Sequence, residues 1–214
     1  MTSAGRRLPR RWFARPSPVL ARDLLGRVLV HRLAGGERLA VRIVETEAYA
    51  FDDPASHSFR GPTPRNAVMF GSAGFCYVYL SYGVHQCMNV VAGEDGVGAA
   101  VLLRSAEPLS GIAEMSANRG TDDVLALCSG PGKLCQALGI DGTDNGADLA
   151  RGTGLEIHEG RAPARGRVLV STRVGIRTGL DRPWRFRIAD DRWVSRARGA
   201  GDLAAGTAVR SRRR

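Results

Sequence analysis

From Arg38 the chain reads Arg-Leu-Ala-Val-Arg-Ile-Val and runs without a break into Glu-Thr-Glu-Ala-Tyr. Leu39, Val41 and Ile43 fall on alternate positions, the period of a strand with one buried face. Continued unchanged, that period places Glu45, Glu47 and Tyr49 on the same face as the three apolar residues. A carboxylate that leaves water needs a partner or a task, so an apolar face ending in two carboxylates and a phenol predicts a cleft. The competing reading is a strand that emerges into solvent at Glu45, since glutamates are mostly exposed. The sequel argues against it. Tyr49, the acidic turn Phe51-Asp52-Asp53-Pro54, His57 and Pro62-Thr63-Pro64-Arg65-Asn66 make a long polar loop between two apolar runs. Structured loops on rigid scaffolds are where chemistry concentrates.

The rest of the chain predicts a scaffold for that loop. Ser17-Pro18 opens a helix to Leu25, with Ser17 as N-cap and Gly26 as stop. Residues 27–33 and 38–47 read as a hairpin through Ala34-Gly35-Gly36-Glu37. Residues 75–80, 86–91 and 99–105 follow as strands, the first two joined at Ser81-Tyr82-Gly83-Val84-His85, so an antiparallel meander is expected. Apolar spacing predicts helices over 108–118 and 131–138, then short strands near 155–158, 167–173 and 184–188. Trp193-Val194-Ser195 is expected to close the core.

At 214 residues there is room for one sizeable core and not for two equal domains. A hydrophobic fraction of 43% and a charged fraction of 24% are those of an ordinary globular protein. No run approaches the ~20 apolar residues that span a bilayer, and no apolar segment follows the basic N-terminus, so neither a membrane nor a secretory role is expected. Cys76, Cys87, Cys128 and Cys135 lack the spacing of a zinc site and are expected to be reduced core residues. No metal is expected.

The net charge of +10 is unevenly spread. Arg6, Arg7, Arg10, Arg11 and Arg15 lie at one end and Arg210, Arg212, Arg213 and Arg214 at the other, so 1–15 and 198–214 are expected to be basic tails without fixed structure around one domain over 16–197. Between them, residues 16–160 are net acidic and 161–198 strongly basic. Phosphate contacts are therefore expected from the tails, from Arg60 and Arg65, and from the last third. The chain's single lysine, Lys133, opens a predicted helix.

Taken together, VETEAY (44–49), His57, TPRN (63–66), YVYLSYG (77–83), CMN (87–89), VLLR (101–104) and LCSGPGKLCQAL (127–138) resemble the alkyladenine (3-methyladenine) DNA glycosylase family, from about Ala21 to Ser195. The resemblance implies an α+β fold: a single compact domain with a curved antiparallel β-sheet, flanking helices and a protruding β-hairpin that enters the DNA minor groove. It implies a monofunctional base-excision enzyme that flips alkylated or deaminated purines out of duplex DNA and hydrolyses the N-glycosidic bond. Carried over by position, Glu47 matches the carboxylate that activates the water. Arg104 matches a charged residue that helps hold water and the adjoining phosphate. Tyr49, His57 and Tyr79 match walls of the base pocket, and Asn89 the side chain that obstructs an exocyclic amino group. Tyr82, with Val84 beside it at the hairpin tip, matches the group that fills the hole left by the flipped nucleotide. Val84 and His85 stand where bulkier apolar and aromatic residues are familiar in the family.

The residue chemistry agrees with these expectations. Electron-rich tyrosine faces favour cationic 3-methyladenine and 7-methylguanine through cation–π attraction. A carboxylate beside the sugar stabilises an oxocarbenium-like transition state and accepts a proton from water. Glu45 is the rival carboxylate on the same strand, and the resemblance alone decides for Glu47. A lysine Schiff base is not expected, and Lys133 is assigned a phosphate or structural contact. Hypoxanthine and ethenoadenine complete the implied lesion range. The partner expected is double-stranded DNA containing damaged purines, met by a monomer without a cofactor. The compartment expected is the cytoplasm, on the nucleoid, if the source is bacterial and the nucleus if it is eukaryotic. Two other readings are a damaged-DNA-binding domain of the same fold that does not cleave and a hydrolase of free nucleosides.

Overall fold

A computed structural model describes residues 5–152 and 154–196. The order of elements is α1 (Arg10–Phe13), α2 (Ser17–Leu24), β1 (Val28–Arg32), β2 (Arg38–Tyr49), β3 (Cys76–Ser81), β4 (His85–Ala92), β5 (Ala99–Ser110), α3 (Ile112–Arg119), α4 (Pro131–Leu138), β6 (Leu155–His158), β7 (Val168–Ser171) and β8 (Arg185–Ile188). The strands form one sheet of antiparallel pairs in the order β3-β4-β5-β2-β1-β6, with β8 also paired to β2 and β7 to β8. The fold is α+β, a single compact domain with a curled antiparallel sheet, as the resemblance implied. Among the described residues no helix is long and apolar enough to cross a membrane.

β2 is the axis of the sheet and changes partners along its length. On one side it runs against β5 throughout. On the other it pairs with β1 over Arg38–Arg42 and with β8 over Glu45–Glu47. The switch coincides with register shifts between Ile43 and Thr46, a bulge-like irregularity that passes over Val44 on β2 and Arg104 on β5 and leaves the pairing beyond it in the same register. Its consequence corrects the alternation argument. Leu39, Val41 and Ile43 lie in the main core, but beyond the bulge it is Ala48 that lies there, and the Thr46 hydroxyl donates to the Ala21 carbonyl of α2 on the same side. Glu45, Glu47 and Tyr49 therefore occupy the face opposite Leu39, Val41 and Ile43.

The core face is covered by helices. Leu20, Ala21 and Leu24 of α2 and Leu134, Cys135, Ala137 and Leu138 of α4 pack there against Val78, Met88, Val90, Val101 and Leu103. Burying each of the large side chains contributes about 1.5–3 kcal/mol. All four cysteines are free and buried.

Three boundaries differ from expectation. Residues 5–15 are not a loose tail: Leu8 and Phe13 are buried, and the Leu8 N–H donates to the Ile157 carbonyl. Two apolar anchors outweigh a basic composition. The expectations for 1–4 and 198–214 lie outside the described residues. Ser17 is the first helical residue of α2 rather than its N-cap, which is Pro16, and makes no cap hydrogen bond. The helix expected from Pro108 starts at Ile112, because Pro108 still belongs to β5, opposite Val41, and Gly111, at φ 76°, makes the turn into the helix.

Candidate active site

The face of the sheet turned away from the helices carries a row of side chains in register. Tyr77 on β3 pairs with Asn89 on β4, Asn89 with Leu102 on β5, and Leu102 with Glu47 on β2. Above this row is a cavity of about 500 Å³ lined by Tyr49, His57, Tyr77, Tyr79, Asn89 and Arg104, with Arg65, Tyr82 and the segment Val174-Gly175-Ile176 completing its wall.

Its walls are aromatic and tied to one another. Tyr77 and Tyr79 stack with centroids 5.6 Å apart and planes at 28°, as expected for i, i+2 on one strand face. His57 meets Tyr79 edge to face at 4.5 Å, and its Nδ1 lies 3.0 Å from the Tyr77 hydroxyl. Although the residue stays partly open to solvent, desolvation of the ring and the charge of Arg65 lower the His57 pKa, which favours the neutral imidazole at pH 7. Asn66, itself buried, donates from Nδ2 to the His57 carbonyl at 2.8 Å and fixes that loop. Asn89 commits its amide nitrogen to the Tyr77 and Cys87 carbonyls. Burial raises the pKa values of Tyr49, Tyr77 and Tyr79, so all three are neutral donors.

Behind the Tyr49 and Arg104 wall lie the two carboxylates, both fully buried. Glu47 Oε1 accepts the Val174 N–H at 2.7 Å. Its Oε2 accepts the Tyr49 hydroxyl at 3.0 Å and lies 3.3 Å from Arg104 Nη1. Glu45 Oε1 accepts from Arg104 Nε at 2.9 Å and Arg185 Nε at 2.8 Å, and its Oε2 accepts from the Ser105 hydroxyl and the Ser195 N–H, both at 2.9 Å. Burial alone would raise the Glu45 pKa, but the charges of Arg104 and Arg185 outweigh it and hold the carboxyl below its ordinary value. Arg104 thus bridges the two glutamates, and its own pKa is raised because both charges exceed the cost of its burial.

The hairpin between β3 and β4 stands at the rim. Its turn closes with the Val84 N–H on the Ser81 carbonyl at 3.1 Å, and both central residues are left-handed, Tyr82 at φ 50° and Gly83 at φ 73°. Glycine adopts this conformation freely, while tyrosine does so at a cost. The turn leaves Tyr82 89% and Val84 71% exposed.

Of the residues singled out in the sequence, Glu47, Arg104, Tyr49, His57, Tyr79, Asn89 and Tyr82 converge on this cavity and its wall. Arg65 does so too: it lies over Tyr79 at 5.9 Å and donates to the Leu80 carbonyl, so it is as much wall as rim. Arg60, Val84 and Lys133 are exposed and do not line the cavity; Lys133 Nζ donates to the Ser129 hydroxyl at 3.3 Å. Sequence reasoning missed Val174, Gly175 and Ile176. No periodicity marks them, and the single clue was an arginine directly before a Val-Gly pair in an otherwise basic stretch.

The curled antiparallel sheet thus holds in its hollow an aromatic slot, with a carboxylate behind the wall and an exposed tyrosine on a hairpin at the rim, a shape complementary to a flat ring. Comparison with known proteins places the chain further. Residues 11–192 match the methylpurine-DNA glycosylase family. A Methanoculleus marisnigri protein named "Putative 3-methyladenine DNA glycosylase" is 50% identical over 195 residues, covering 88% of this chain and 98% of its own. Proteins of the same name from Rhodopseudomonas palustris (CGA009) and Carboxydothermus hydrogenoformans are 48% and 47% identical, each over 189 residues and 88% of this chain, covering 88% and 98% of their own length. The chain belongs to the methylpurine-DNA glycosylase family, as the sequence motifs implied.

Proposed function

We propose that the protein is a monofunctional DNA-3-methyladenine glycosylase that flips 3-methyladenine, 7-methylguanine, hypoxanthine or ethenoadenine out of duplex DNA and hydrolyses the N-glycosidic bond with a water activated by Glu47. The observation that carries this reading is the position of Glu47, a carboxylate held by three donors from three parts of the chain, directly behind the wall of an aromatic slot.

The reaction follows from that arrangement. The exposed Tyr82 enters the duplex and offsets part of the few kcal/mol that unstacking costs. The flipped purine enters between the tyrosines and His57, where each stacking contact contributes about 1–3 kcal/mol. Asn89 stands at the floor and opposes bases with an exocyclic amino group at that point. The C1′–N bond breaks with its electron pair going to the base, which neutralises a cationic lesion as it leaves; a neutral lesion such as hypoxanthine leaves as an anion and takes one proton from solvent. Water forms the new C1′–O bond and gives its proton to Glu47. Glu47 has no exposed surface, so water reaches it when one donor gives way. The Arg104 contact, at 3.3 Å the longest of the three, is the one we assign. Arg104 then faces the nucleotide with its Nη1 freed while Nε stays on Glu45. Lys133 is kept out of the chemistry by its place on the outer surface of α4, which supports hydrolysis without a lyase step.

The test is release of each lesion from duplex DNA by the wild-type protein and by Glu47→Gln. Abasic-site formation by wild type, with Glu47→Gln binding the lesion duplex but not cleaving it, is the expected result. Binding without release by the wild type would replace this reading with a damage-binding protein. Equal activity on free nucleosides and on duplex would replace it with a nucleoside hydrolase.

A further inference from the structure

Arg173 does not line the cavity, yet it touches nearly everything that shapes one side of it. Its side chain and that of its partner Asp53 are fully buried. Nη1 donates to Asp53 Oδ2 and, at 3.0 Å, to the Ala48 carbonyl of β2. Nη2 donates to Asp53 Oδ1 at 3.0 Å and to the Gly179 carbonyl at 3.1 Å. The guanidinium lies over the Tyr49 ring, 4.7 Å from its centroid, and 5.6 Å from that of Trp184.

One side chain therefore joins the end of β2, the acidic turn before His57, the loop that runs from Thr172 to Leu180, and the ring of a cavity-wall tyrosine. A buried guanidinium is costly unless it is paired; here both terminal nitrogens are used while Nε has no hydrogen-bond partner, and the planar fork of arginine can hold a carboxylate and two carbonyls at once where lysine cannot. The next residue supplies the consequence. Val174 is the donor to Glu47 Oε1, and its loop contains Gly175 and Gly179, both at positive φ, so the backbone there has no side-chain stiffness of its own.

We propose that Arg173 is a positioning residue for glycosidic hydrolysis: by clamping the Thr172–Leu180 loop to Asp53 and to β2, it holds the Val174 N–H on Glu47 and the Tyr49 ring and hydroxyl in line with it. The proposal rests on the role given above to Glu47. It assigns two of the three donors on that carboxylate, Val174 and Tyr49, to the control of one residue outside the cavity, leaving Arg104 under the separate control of Glu45.

The experiment compares Arg173→Met, Arg173→Lys and Asp53→Asn with wild type in three measurements: single-turnover base release, affinity for the lesion duplex and thermal melting. Misplacing a catalytic group by about 1 Å costs up to roughly 100-fold, so Arg173→Met is expected to lose at least about tenfold in single-turnover rate. Affinity should change by less than about threefold, because loss of an interaction that matters in the transition state falls on kcat. Arg173→Lys keeps the charge but not the fork and should recover only a minor part of the rate. Asp53→Asn should fall in the same direction, since it weakens the clamp from the other side. If the folded fraction of each variant melts lower but releases base at the wild-type rate, Arg173 serves the fold alone and the proposal fails. It fails also if rate and affinity fall in parallel. A wild-type protein that releases no base would instead overturn the proposed activity itself.

Discussion

Glu45 and Glu47 are the same residue type, two positions apart, on the same face of one strand and equally buried. Their surroundings differ. Glu45 is enclosed by four donors, two of them on guanidinium groups, from β5, β8 and the chain beyond it. Glu47 has one guanidinium, one phenol and one backbone N–H, and those three donors are themselves parts of the cavity wall. A carboxylate whose partners, Arg104 apart, lie away from the cavity fastens the surrounding structure together. One whose partners face a cavity can exchange a partner for a water. The difference supports the proposed division, in which Glu45 serves the fold and Glu47 the chemistry, with Arg104 in contact with both.

The sharpest way to break this comparison is to neutralise each in turn. Glu47→Gln keeps the shape and removes the proposed base, and is expected to cost about 10²–10⁴-fold in single-turnover base release while lesion binding stays close to wild type and stability falls less than in Glu45→Ala, since one guanidinium rather than two loses its carboxylate. Glu45→Ala is expected to act first on stability. Removing one member of a buried ion pair costs about 3–5 kcal/mol because the guanidinium groups are left uncompensated, which urea denaturation would measure. Near-wild-type stability in Glu45→Ala would remove the distinction.

The pH dependence of stability tests the same point with its sign fixed in advance. The folded Glu45 pKa lies below its ordinary value of 4.5, so the unfolded state binds the proton more readily. The contribution of the cluster is therefore complete above about pH 4.5 and is lost as pH falls through the lower folded value. Denaturation midpoints for wild type and Glu45→Gln should converge on acidification and separate above that pH.

What the sequence could and could not say about this pair has a physical reason. Alternation over Leu39, Val41 and Ile43 located the strand, and Pro131 with Gly139 bounded α4, because such signals are local. The bulge at Glu45 left no mark: no glycine or proline stands there, and the phase change that turns the carboxylates away from the helices falls where β1 leaves the edge of β2 and β8 takes its place. For the same reason Glu45 could not be told from Glu47, since the partners that separate them, Arg185, Ser195 and Val174, lie more than a hundred residues away in the chain. The cavity residues were legible only as a set of motifs in order, and the Arg173 clamp, which joins no motif, was not legible at all. At the N-terminus, five arginines concealed Leu8 and Phe13.

A smaller effect is expected at the hairpin. Tyr82 is 89% exposed, so Tyr82→Ala should change stability by no more than about 0.5 kcal/mol. It should slow excision from duplex by roughly tenfold, given the few kcal/mol that flipping costs, with little effect on the same lesion in single-stranded DNA. Equal losses on both substrates would make Tyr82 part of the base pocket rather than a wedge.

The smallest expected effect separates the two regions by pH. His57 belongs to the cavity, and its folded pKa is lowered, first by burial against the tyrosines and then by Arg65. The folded state thus resists the proton that the unfolded state accepts below about 6.5, so this group costs nothing above that value and weakens the fold as pH drops through the interval beneath it. The Glu45 cluster is still intact there, because its own window opens only below about 4.5. Comparing denaturation midpoints at pH 7.5 and 5.5 for wild type and His57→Gln isolates the term: the glutamine variant should lose less on acidification. Arg65→Met should shrink the wild-type loss, since it removes the second cause of the shift while leaving the first. If His57→Gln and wild type lose stability equally between those two pH values, the imidazole is no more desolvated than it would be at the surface, and the cavity wall is looser at that corner than the stacked tyrosines imply.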